Sequence, residues 1–362
     1  MKRKGLRLSQ FTLFSLIFFS FSVTILLISI SNKNFADLFN EKISSVPRRL
    51  LTLISNTVPF SVAELLVFLS PIIVTVFIIS TVKNKSVSVF EHAFRIFSFF
   101  LLFSSLYIIS FGVGYYTDDY YSRLNIKEAE VSPTDLKDTA EILVSLLNYT
   151  NDGINYGTDG FSVIPYDLQI LDEKLNKEYE RLSKKYNFID IKESKTKPVL
   201  LSKTLSYAQI TGLYSFFTGE ANVNTDFPDY TIPFTVAHEF AHQRGISRED
   251  EANIIAFLAC IDSNDEYLRY SALLNSFEYV MATLYETDKE AYDEVYSKLD
   301  TEIIGELRAY TYLYKKYEHS ISEAISTKLG NAHLKLNGER EGVKTYELAV
   351  DLFVAYFKGE LE

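Results

Sequence analysis

Thr235-Val236-Ala237-His238-Glu239-Phe240-Ala241-His242-Gln243-Arg244-Gly245, followed by Glu249-Asp250-Glu251-Ala252-Asn253, places two of the chain's five histidines four residues apart. On a helix that spacing brings both rings to one face, with β-carbons about 5–6 Å apart, within reach of one metal ion. Glu239 falls a step round the helix, beside such an ion and not on it. A carboxylate so placed can take a proton from water activated by zinc and return it to a leaving amine. Pro233 suits a first helical turn and Gly245 a left-handed cap, while Ile232, Val236 and Phe240 at i, i+4, i+8 bury the opposite face.

A catalytic zinc needs a third protein ligand and an open position. The extended pattern HExxHxxGxxH is not met, because Arg248 holds its last position. Ser247 followed by Asp250 reads as a cap opening a second helix through about Ile261. On it Glu249 shares a stripe with Ala252, Asn253 and Ala256, small residues that allow close approach to the histidine helix. Glu249 then reaches the metal, and Asn253 one turn on hydrogen-bonds a ligand. Glu251 is the rival ligand, since it lies on the stripe of Ile255 and Leu258, where an ionised carboxylate calls for a metal or another cation.

The run Tyr214-Ser215-Phe216-Phe217-Thr218-Gly219-Glu220-Ala221-Asn222-Val223-Asn224, the histidine stretch, and the segment from Asn337-Gly338 to Phe357 together resemble the bacterial "domain of unknown function 3810" family. The resemblance covers nearly the whole chain and implies an N-terminal membrane part and a zincin-like domain, with no substrate assigned. Glu249-Asp250-Glu251-Ala252-Asn253 also resembles the ExxA(D/N) element of gluzincin-type peptidases, which carries the zinc-ligand role to Glu249.

Three uncharged stretches are long and apolar enough to cross a bilayer: Phe11 to Ile30, Leu65 to Val82 with Pro71 inside, and Ile96 to Tyr116. The first is too long for a signal-peptide core and no small-x-small cleavage site follows it. Residues 1–117 thus form a membrane module and 118–362 a mainly helical α+β, zincin-like domain. Lys2, Arg3, Lys4 and Arg7, with Lys83, Lys85 and Arg95, place the N-terminus in the cytoplasm and the C-terminal domain outside. Lys33, Lys42, Arg48 and Arg49 on the outer loop oppose that assignment. Within this loop Val46 to Ile54 reads either as an interfacial amphipathic segment with its arginines near head groups or as a solvated linker.

Eleven of the 36 basic and four of the 47 acidic residues precede residue 118, so the remainder carries a net charge of −18. So acidic a domain is poorly suited to nucleic acid, whose binding rests on phosphate neutralisation. Ser132-Pro133 starts a helix over Leu136 to Leu147, Leu168 to Tyr186 is a second, and Pro198 to Leu201, Gly212 to Phe217 and Ala221 to Asn224 are strands. Glu220 to Asn224 is the candidate cleft edge that pairs with an extended peptide. Tyr270 or Tyr279 is a candidate donor to an oxyanion, His319 and His333 have no partner at metal spacing, and the single Cys260 forms no intrachain disulfide.

These observations lead to the expectation of a membrane-anchored zinc metallopeptidase. His238, His242 and Glu249 bind Zn2+ and Glu239 is the catalytic base, acting on a peptide, protein or cell-wall amide. The alternative is a non-catalytic zincin-like module at the cell surface. An intramembrane protease is disfavoured because Asp226, Asp229, Gln243, Arg244 and Arg248 surround the motif.

Overall fold

The computed structural model describes residues 9–83, 89–126, 131–190, 192–338 and 345–359. Lys2, Arg3, Lys4, Arg7 and Lys85 lie outside the described residues. Three helices are long and apolar enough to cross a membrane. The first, α1 (Gln10–Ser31), is followed by a short α2 (Lys33–Phe39), a π-helical turn at Asn40–Ser44 and α3 (Ser45–Ser55). The other two are α4 (Val62–Lys83) and α5 (Val89–Ser110). Ser15, Ser22 and Ser29 of α1 and Ser98 and Ser105 of α5 are buried, at steps of seven, and α1 packs along α5 with Phe11 and Phe99 in ring contact. Each serine donates to a carbonyl of its own preceding turn, so small polar residues let the two backbones approach without an unsatisfied group.

The third apolar stretch ends earlier than expected. The helix stops at Ser110, and Gly112–Tyr116 form a 3-10 turn. Gly114 explains the change of course: a β-carbon there would overlap Ser247 Oγ and lie 3.1 Å from the Gly245 carbonyl. The chain leaves α5 directly against the end of the histidine helix.

The remaining part comprises α6 (Tyr120–Leu124), α7 (Pro133–Asn151), α8 (Leu168–Lys185), β1 (Thr196–Pro198), α9 (Ser202–Ser206), β2 (Gly212–Ser215) and β3 (Glu220–Val223). Then follow α10 (Thr231–Gln243), α11 (Glu249–Ile261), α12 (Glu266–Thr287), α13 (Lys289–Tyr296), α14 (Thr301–Tyr317), α15 (Ile321–Leu336) and α16 (Thr345–Phe357). Helix α7 opens at Ser132-Pro133 as expected from the sequence, with Asp135 completing a capping box, and α11 is enclosed by α8, α10, α12 and α16. Its buried Ile254, Ile255, Phe257 and Leu258 belong to the main core.

The three strands pair in the order β1-β3-β2, with β1 parallel and β2 antiparallel to β3. The expected first strand lies upstream of its sequence position, at 196–198, and the second is cut short by a turn at 216–219. Glu220–Val223, expected at the cleft edge, is instead the central strand, fully buried and paired on both sides. Its small apolar Ala221 and Val223 fill the core, and its polar Glu220 and Asn222 are spent inside the protein. The edge beside the histidines belongs to β2.

Candidate metal centre

Helix α10 carries the two histidines as the spacing requires. Ile232, Val236 and Phe240 are buried on its far face, and Gly245 adopts φ +95° just past its end. The Gly245 N–H bonds the His242 carbonyl and the Ile246 N–H the Ala241 carbonyl, the paired bonds of a Schellman cap. This turn also delivers the Ile246 carbonyl to His242 Nδ1 at 2.7 Å. A carbonyl only accepts, so Nδ1 carries the proton and Nε2 is left with its lone pair.

The same logic applies to His238, whose Nδ1 donates to Asn253 Oδ1 at 2.8 Å. The fully buried Ala252 and Ala256 flank Asn253 on α11 and let it come this close. Glu249 opens α11 and faces both rings, at 3.1 Å from His238 Nε2 and 3.6 Å from His242 Nε2. One donor atom from each of the three residues lies within 4.8 Å of the others. Two imidazole lone pairs and a carboxylate so close repel one another unless a proton or a cation stands between them. Burial would lower the His242 pKa, yet the adjacent Glu249 carboxylate overrides it and raises it to about 9. Burial likewise opposes ionisation of Glu249, but the two histidines hold its pKa well below the usual carboxylate range. Imidazole nitrogen and carboxylate oxygen, with ring orientation held from behind, are the donor set that suits zinc.

Geometry brings Glu249, and not Glu251, to the two histidines. Glu251, 2% exposed, pairs with Arg248 one turn back and so meets its cation within the protein. The expected Ser247 cap does not form: Arg248 is the N-cap without a side-chain bond, and Ser247 Oγ donates to the Phe111 carbonyl at 2.8 Å.

Glu239 is buried beside the cluster. The Tyr214 backbone N–H of β2 favours its ionised form, while Oε2 has no hydrogen-bond partner among the described residues. Burial raises its pKa, opposed by His238 and His242. Gly212 keeps β2 in contact, because a β-carbon there would lie 2.5 Å from Glu239 Oε1 and 2.6 Å from Thr235 Cγ2. Alternation along the ladder turns the backbone groups of Gly212 and Tyr214 to the open side of β2.

Of the two tyrosines singled out, Tyr270 is committed elsewhere, donating to buried Glu306 and bonded to Tyr156. Tyr279 is within electrostatic reach of Glu249, and burial raises its pKa. The structure adds residues the motif did not indicate. Phe111 lies against the His242 ring with centroids 5.8 Å apart, and against Tyr214 at 5.4 Å. His333, from α15, contacts the Tyr115 hydroxyl at 3.2 Å and feels the charges of Glu249 and His242. Nearly ninety residues separate His333 from the motif, so no local spacing could have revealed it.

The family described as "Protein of unknown function (DUF3810)" matches residues 39–354. The chain belongs to this family. No curated protein and no solved structure shows significant similarity to it. As a DUF3810 protein, the chain receives no activity from its relatives, and its function rests on the chemistry of the site.

Proposed function

We propose that this DUF3810 protein is a membrane-anchored zinc metallopeptidase with a zincin-like domain, hydrolysing a peptide, protein or cell-wall amide. The observation that carries this reading is the convergence of His238, His242 and Glu249 beside the partnerless oxygen of Glu239. Zinc bound there would acidify water and polarise a substrate carbonyl.

Glu239 Oε2 accepts the proton of the attacking water, and the nearby Tyr214 N–H favours the ionised carboxylate that this requires. Burial strengthens its hold on that proton until it is handed to the leaving nitrogen. Asn253 and the Ile246 carbonyl orient the two imidazoles. An extended substrate pairs with the open side of β2, and His333 with Tyr115 stands ready to stabilise developing negative charge.

Of the basic residues of the outer loop, which oppose an extracytoplasmic domain in a simple charge count, all but the exposed Lys42 are occupied by the fold. Lys33 pairs with Asp118 and Asp119, Arg49 with Asp190, and Arg48 is buried. Lys83 and Arg95 at the opposite ends of the spans then mark the cytoplasmic side.

The test uses the full chain purified in detergent. Wild type and Glu239→Gln should each hold one zinc per chain by elemental analysis. Only wild type should release new peptides from bacterial envelope preparations, read by mass spectrometry. A wild-type protein that binds no zinc, or a Glu239→Gln protein with undiminished turnover, overturns the reading.

A further inference from the structure

Helix α3 is amphipathic with its faces exchanged. Ser45, Arg48, Thr52 and Ser55, at i, i+3, i+7 and i+10, are buried. Val46, Leu50, Leu53 and Ile54 point outward, 53%, 55%, 67% and 66% exposed. In water this arrangement has no physical reason, since apolar area is left wet while polar groups lose their hydration.

The inward polar face is tied into the protein by hydrogen bonds. Arg48 donates to Asn40 Oδ1 and to the Ser110 carbonyl at 2.8 Å each, and to the Asn40 carbonyl at 2.9 Å. Its charge sits at the C-terminal end of α5, where the helix dipole favours a cation. Asn40 Nδ2 donates to the Gly245 carbonyl at 2.9 Å, and Thr52 Oγ1 to the Gly219 carbonyl at 3.1 Å. Both the end of the histidine helix and the β2–β3 turn therefore rest on α3.

The outward face has its position dictated by connectivity. Helix α3 lies between the end of α1 at Ser31 and the start of α4 at Val62, two bilayer-length helices. Only six residues separate the end of α3 at Ser55 from Val62, which keeps that end within about 25 Å of the start of α4. Phe60, 45% exposed, and Ile43, 51% exposed, extend the same apolar surface toward α4 and toward the π-helical turn.

We propose that α3 lies along the bilayer on the side of the metal site, with lipid acyl chains covering Val46, Leu50, Leu53 and Ile54. The protein then meets the membrane by three spans and one in-plane helix, and the in-plane helix seats the site at the bilayer surface. Lys42 at the margin of the apolar stripe sits at the level of the head groups.

The chain contains no tryptophan, so one introduced indole reports without background. Leu53→Trp and, separately, Leu50→Trp are placed in the full chain, with Tyr149→Trp, 80% exposed on α7, as the aqueous reference. Each is reconstituted in vesicles of phosphatidylethanolamine and phosphatidylglycerol, with and without acyl-chain bromination. The α3 variants should emit at shorter wavelength than the reference and lose about half their intensity to bromine, as for side chains about 5–10 Å below the head groups. Emission like that of the reference, insensitive to bromine, overturns the proposal. Blue-shifted emission insensitive to bromine also overturns it, by showing protein on that face. The two sites are one turn apart, so a variant that fails to reconstitute leaves the other to decide.

Discussion

Replacing Gly245 by alanine should damage the protein more than any other single-methyl change near the site. Two effects add. Gly245 has φ +95°, a left-handed conformation that costs a residue with a β-carbon about 1–2 kcal/mol. The new methyl would also overlap Arg48 Nη2 and lie 2.5 Å from its Cζ. Arg48 is 1% exposed and held by three hydrogen bonds to carbonyl oxygens, so it cannot swing into solvent. Displacing it loses at least one charge-assisted bond, about 1.5–3 kcal/mol. The sum, about 2.5–5 kcal/mol, corresponds to roughly a 10 °C fall in melting temperature for a domain of this size. Buried Cys260 is the only cysteine, so a thiol-reactive fluorogenic dye reports the melting of the core around α11 directly. Because the same turn presents the Ile246 carbonyl to His242, zinc should also be held less tightly. A Gly245→Ala protein melting within 2 °C of wild type, about half a kcal/mol, would refute the close packing of Arg48 on this turn.

Three further outcomes follow from the geometry. Glu249→Ala should abolish zinc binding, whereas Glu251→Ala should keep the metal and lower stability, because Arg248 loses its partner; equilibrium dialysis and the same melting assay separate the two. Asn253→Ala removes the acceptor that orients His238 and should weaken zinc about 10–100-fold, measured by chelator competition. His333→Ala should leave zinc content and melting temperature unchanged and reduce kcat about 100-fold once a substrate is in hand; an unchanged kcat would exclude a role in stabilising the reacting carbonyl.

The parts of the molecule that a sequence displays are those set by local periodicity. The spans, the Ser132 cap, the α10 and α11 helices and the Gly245 cap all depend on residues within a turn or two. Glu249 was legible too, because Ala252, Asn253 and Ala256 announce a close helix contact before any partner is known. What could not be read depends on distant partners. Ser247 and Asp250 look like a capping pair, yet Ser247 answers a carbonyl at the end of a spanning helix. Arg48 and Arg49 look like head-group ligands, yet one is sealed against carbonyls and the other pairs with Asp190. Glu220 to Asn224 looks like an edge strand, but β-pairing order is invisible to alternation when every residue of the strand is buried.

These distant contacts bear on where the metal centre ends and the membrane part begins. A cut at residue 117 would separate Phe111 from the His242 ring, Asn40 from the Gly245 carbonyl and Thr52 from the β2–β3 turn. It would also release α4, whose first N–H groups at Val62 and Ala63 are held by Glu220 at 2.9 and 2.8 Å, while its Glu64 accepts from Leu200 and Leu201. The family match begins at residue 39, so it takes in Asn40, α3, α4 and α5 and leaves out the first span. The matched region therefore contains every contact just named. The polar face of α3, the end of α5 and the turn after the second histidine form one packed unit, in which segments preceding residue 117 pack directly beneath the histidine helix.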